Sequence, residues 1–137
     1  VAAGRPVTLP HLLGTLLASL GSALVVTIST EVAVAGLLGF RAPRDLGIVA
    51  LANLATNPAV NLLLAGVMAL AHARALADPP MLAALALLEV AATVAEWRIY
   101  RFALPHHRGR ALRVSVIANV ASLAVGFAIF GFGTPSV

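Results

Sequence analysis

The sequence predicts an all-α, polytopic membrane protein: four transmembrane helices joined as two hairpins, with a parallel internal repeat. Three observations carry this reading. Of 137 residues, 61 % are hydrophobic and 10 % are charged, against about 45–50 % and about 25 % in soluble domains. Mean hydropathy is +1.00. The apolar residues fall into four long runs, separated by short connections that carry Pro and Arg. A soluble domain this small needs far more polar surface to cover its core. The composition therefore excludes a soluble enzyme, a nucleic-acid-binding domain and a disordered chain. Residues 1–137 read as one transmembrane domain whose first partner is the lipid bilayer.

The first span covers about 11–39. Thr8 is placed to cap it, with Pro10 tolerated in the first turn. Between residues 12 and 39 the single ionisable side chain is Glu31. The run is too long for the core of a secretory signal peptide. Pro43 is expected to stop this helix and Asp45 to cap the next. The second span, about 46–71, contains Pro58, which frees one backbone carbonyl. Asp78, Pro79 and Pro80 read as the start of the third span, about 81–100. A basic connection, Leu104 to Arg110, leads to the fourth span, about 111–132.

Charge sets the expected orientation. The net charge is +4 and every basic residue other than His is Arg. Arg5 and Arg74 fall on one side; Arg41, Arg44, Arg98, Arg101, Arg108, Arg110 and Arg113 fall on the other. The positive-inside bias puts connections 40–45 and 101–113 in the cytoplasm and both termini outside. The expected location is the inner (cell) membrane of a bacterium. There is no cysteine, hence no disulfide or thiolate site.

The two hairpins share a pattern. Glu31 is followed by a basic turn and Ala52-Asn53-Leu54-Ala55-Thr56; Glu96 is followed by a basic turn and Ala118-Asn119-Val120-Ala121-Ser122. Such self-similarity reads as a parallel repeat about an axis along the membrane normal. Each span also carries one polar stripe. Thr27 and Glu31 share a face of the first; Asn53, Asn57 and Asn61 recur at four-residue spacing in the second. Glu89, Thr93, Glu96 and Tyr100 line the third, and Ser115, Asn119 and Ser122 the fourth. At 1.5 Å per residue, the acids and amides lie about 8–18 Å from the basic end. They should meet in one cluster.

Each acid costs roughly 2.5–3.5 kcal/mol at the centre of a membrane helix. Glu31, Glu89 and Glu96 must therefore be protonated, paired, hydrated or bound to a cation. Pairing of Glu31 and Glu96 with Arg41, Arg98 or Arg101 is the plain structural alternative. The functional expectation is a small membrane transporter or binding subunit. Glu31, Asn53, Asn57, Glu89, Glu96, Tyr100, Asn119 and Ser122 would bind a cation, protons or a basic small molecule. No cofactor is implied beyond a bound cation. A homodimer or partner membrane subunit is expected, because so short a chain offers few walls for a pathway. Two alternatives stand beside this reading: a non-catalytic accessory subunit of a larger membrane complex, and an intramembrane enzyme with a divalent metal on Glu31, Glu89 and Glu96. The sequence lacks the nucleophile-elbow, zincin, P-loop and dinucleotide signatures, which counts against the enzyme. His106 and His107 read as headgroup-facing residues of a basic connection, since no further Cys or His completes a metal set. Gly14, Ala18 and Ser22 form a small-residue row expected to pack inside the bundle. In size, span count and a Glu in the first span, the chain resembles the small multidrug exporters. The residues around Glu31 do not follow that family's pattern, so no role is transferred.

Overall fold

The computed structural model describes residues 8–74 and 81–131. The described chain is all-helical. Four long helices, α1 (Leu9–Leu37), α2 (Pro43–Ala73), α3 (Met81–Ala103) and α4 (Arg108–Gly126), are joined by a 3₁₀ turn at Pro105–His107 and followed by a π-helical turn at Phe127–Gly131. Three stretches are long and apolar enough to cross a membrane: Leu17–Leu37, Pro43–Ala73 and Pro105–Ile129. Helix α3 falls short of that standard because Glu89, Glu96, Arg98 and Arg101 all lie within it.

The helices form a ring in chain order. Each packs against the helix before and after it, α1 closes the ring against α4, and the backbones of the diagonal pairs α1/α3 and α2/α4 stay apart. The two connections, 38–42 and 104–107, meet at one end, where His107 stacks on Phe40 with ring centroids 4.3 Å apart. The core sits just beneath them. Ala35, Phe40, Val49, Ala52, Tyr100, Leu104, Ala111 and Val114 form one buried cluster. Burial fades away from this end. Gly14, Ala18 and Ser22 are exposed, so the small-residue row does not pack inside the bundle.

The helix ends differ from the sequence-based expectation for a local reason. Helix α1 stops before Pro43 is reached. Phe40 N–H donates to Ala35 O at 2.9 Å and Gly39 N–H to Gly36 O at 3.2 Å, the two bonds of a Schellman cap. Gly39 supplies the left-handed residue, with φ of 104°, where a Cβ is disfavoured. Pro43 instead opens α2, with Ala42 as its N-cap, because a ring-fixed φ and a missing N–H suit a first turn. Asp45 lies inside that first turn, and its carboxylate is turned to the neighbouring connection. Thr8 makes no capping bond to α1. Helix α2 runs on through Pro58. The start signal at Asp78, Pro79 and Pro80, together with Arg5 and Phe132, lies outside the described residues.

Candidate functional site

The four polar stripes meet one turn inside the apolar core. Glu31 on α1 and Glu96 on α3 stand on diagonally opposite helices, each 1 % exposed. Asn53 Nδ2 donates to Glu31 Oε2 at 2.7 Å, and Ser122 Oγ donates to Glu31 Oε1 at 3.1 Å. Asn119 Nδ2 donates to Glu96 Oε2 at 2.5 Å, and Thr56 Oγ1 donates to Glu96 Oε1 at 2.7 Å. Each carboxylate thus takes an amide from the following helix and a hydroxyl from the helix on its other side. The second hydrogen of each amide is also used: Asn53 donates to Val49 O at 3.2 Å and Asn119 to Ser115 O at 2.9 Å. Ser115 Oγ in turn donates to Thr93 O at 2.7 Å and ties α4 to α3.

This is the Glu–turn–Ala-Asn-x-Ala-(Ser/Thr) pattern closed into a ring. The four-residue spacing returns each Asn to its own helix backbone, and the three-residue step from Asn to Thr56 or Ser122 aims the hydroxyl at the other half. All four carboxylate oxygens accept a bond, and each keeps lone-pair capacity for a proton or cation. Among the described residues, no Arg pairs with Glu31, Glu89 or Glu96; the carboxylate that meets basic side chains is Asp45, beside His106 and His107. The pairing of the acids with Arg41, Arg98 or Arg101 is therefore not what the fold uses.

Above this layer, away from the connections, lies a cavity of about 380 Å³. Glu31, Asn53, Asn119, Ser122 and Glu96 form its floor, and Asn57, Asn61 and Glu89 its walls. Glu89 is half-buried, and no hydrogen bond reaches its carboxylate among the described residues. Asn61 Nδ2 donates to Asn57 Oδ1 at 2.8 Å, within α2.

Seven of the eight residues singled out in the sequence therefore line one cavity: Glu31, Asn53, Asn57, Glu89, Glu96, Asn119 and Ser122. Tyr100 does not line it. It lies in the core below, edge-on to Phe40 at 6.2 Å, fully buried, and its hydroxyl is the one buried side-chain polar atom without a partner among the described residues. Thr56 is a floor residue absent from that set. The repeat itself names it, since Thr56 occupies in α2 the place of Ser122 in α4.

The chain matches no protein-family model, no curated protein and no solved structure in the comparisons made.

Proposed function

We propose that this chain is a small membrane transporter or binding subunit whose cavity takes a cation, protons or a basic small molecule. One observation carries the reading: three acids, Glu31, Glu89 and Glu96, face one cavity inside an apolar bundle, and among the described residues no basic side chain pairs with them. Uncompensated charge there is costly, so the resting state requires a positive partner or protons. The Glu31/Glu96 floor would hold the charge, and Glu89 and the amides of Asn57 and Asn61 would select the species. Proton uptake and release at one Glu would drive or gate the cycle.

We read all four helices as spans, paired as two hairpins. The meeting of both connections at one end supports this. So does the position of Glu89 and Glu96, which turn inward and leave the lipid-facing side of α3 apolar at Leu82, Leu87, Val90 and Val94. With the Arg-rich connections in the cytoplasm and both termini outside, the cavity faces outward and the Phe40/Tyr100/Leu104 core closes its inner side. A second copy or a partner subunit completes the pathway walls.

The test is thermal unfolding of the purified protein across about pH 5–9, with a panel of mono- and divalent cations and small amines. A ligand that binds the folded state raises the transition temperature by mass action. We expect a cation- or amine-dependent rise that disappears in Glu89→Gln. A flat response in the wild type overturns the reading and favours an accessory subunit of a larger complex.

A further inference from the structure

The same bundle carries a second cluster at its other end. Asp45, in the first turn of α2, is 4 % exposed at its side chain. Both imidazoles of the adjacent pair His106 and His107 converge on a single oxygen of it. His107 Nε2 lies 3.1 Å and His106 Nε2 3.3 Å from Asp45 Oδ2. The three donor atoms all lie within 4.8 Å of one another. We propose that Asp45, His106 and His107 bind one late first-row transition-metal ion of the Zn²⁺ class.

Four features argue for a metal rather than a plain hydrogen-bonded trio. First, consecutive residues seldom aim at one atom, and here the 3₁₀ turn opened by Pro105 brings both rings to the same oxygen. Second, the two His–Asp separations are close to the edge of a tetrahedron with bonds of about 2.0–2.1 Å, which is about 3.3 Å. Third, His107 is fixed from behind. Its ring stacks on Phe40 at 4.3 Å with 14° between planes, and the Schellman cap at Gly39 places Phe40. The stack fixes the plane of the ring. Fourth, the side chain of His106 is 55 % exposed, so water reaches the fourth coordination position that three protein ligands leave open.

The surroundings also choose the metal. Arg41 and Arg44 precede Asp45, and Arg108 and Arg110 follow His107, in the sequence, and this positive end opposes a cation held by charge alone. Hard ions such as Ca²⁺ and Mg²⁺, which rely on several oxygen ligands, are therefore disfavoured. Two imidazole nitrogens and one carboxylate suit Zn²⁺, Cu²⁺, Ni²⁺ or Co²⁺. Because Asp45 lies in the first turn of α2 and the histidines in the second connection, the ion would clasp the two together.

The experiment is titration of untagged, detergent-purified protein with Zn²⁺ against a chromophoric chelator, with Co²⁺ absorption reporting coordination geometry. We expect one ion per chain and a tetrahedral Co²⁺ spectrum. Asp45→Asn, His106→Ala and His107→Ala should each weaken Zn²⁺ by at least about 100-fold, since even residues outside the ligand set cost about 10–100-fold. His106→Ala keeps the test valid if Asp45→Asn fails to fold, because His106 is largely exposed. His72→Ala, an exposed imidazole at the other end of α2, should leave Zn²⁺ affinity unchanged. Absence in the wild type of an ion whose binding depends on Asp45, His106 and His107 overturns the proposal. So does binding that survives His106→Ala, or that is lost in His72→Ala.

Discussion

The two halves of the molecule agree at one level and disagree at every other. At the floor of the cavity they superimpose in role: Glu31 with Asn53 matches Glu96 with Asn119, and Ser122 answers Thr56. Above the floor the match fails. Carrying Glu31 onto Glu96 places Leu24 where the other half has Glu89, and carrying Asn53 onto Asn119 places Leu123 and Phe127 where it has Asn57 and Asn61. Below the floor, one half supplies Asp45 and the other two histidines. The shared level is what the four-helix ring needs to bury polar groups on every helix without leaving one unsatisfied. The levels that differ are free of that demand and can carry selectivity.

Even the shared level contains one inequality. A hydroxyl has a single proton. Thr56 lies 2.7 Å from Glu96 Oε1 and 3.1 Å from Ala52 O, so its proton goes to the acid. Ser122 lies 3.1 Å from Glu31 Oε1 and 3.0 Å from Asn119 O, so its proton is shared. Glu31 is the less firmly held of the two acids.

The comparison can be broken most severely at its amides. Asn53→Ala and Asn119→Ala each leave a buried carboxylate short of a partner. Each should cost about 2–3 kcal/mol, and the two costs should agree within about 1 kcal/mol if the halves are equivalent at this level. Unfolding in detergent with denaturant reads this directly. Gly39→Ala comes next, at about 1–2 kcal/mol, because the left-handed turn occurs in the first connection and has no counterpart in the second, where a 3₁₀ turn stands instead. The same unfolding assay measures it. Asn61→Ala removes an amide contact inside α2 and should cost only about 0.6 kcal/mol, the usual worth of a hydrogen bond between membrane helices. The smallest stability effect belongs to Glu89→Gln, within about 0.5 kcal/mol, since no bond holds that carboxylate. It should nonetheless abolish the ligand-dependent rise in transition temperature. A large loss of basal stability would show Glu89 to be part of the framework and not of the selecting wall.

Much of the floor was visible in the chain itself. Glu, Asn and Ser are costly in an apolar helix, so their spacing had to put them on one face, and the repeat matched Glu31 and Asn53 to Glu96 and Asn119. What lay beyond reach depends on which side chains meet across elements. Asp45 looks like a helix cap until the second connection arrives beside it, and His106 and His107 then gain the third ligand they lacked. Tyr100 shares a stripe with Glu96, yet it lies one turn nearer the connections and joins Phe40 in the core. Pro43 is the louder stop signal in the sequence, but the cap that ends α1 is made at Gly39. Ring order was likewise hidden, since stripes fix which face turns inward and not which helix sits next door.

The uneven burial along the bundle has a mechanical consequence. Phe40, Tyr100 and Leu104, the largest fully buried side chains, all sit at the connection end, while among the described residues no position of α1 before Glu31 is buried. Interlocked side chains resist sliding, and thinly packed ones do not. Such packing would let the bundle work like a pair of tweezers, with its pivot at the aromatic layer. A small rotation at Phe40 and Tyr100 would then be magnified along some twenty residues of helix into several ångströms of opening at the mouth.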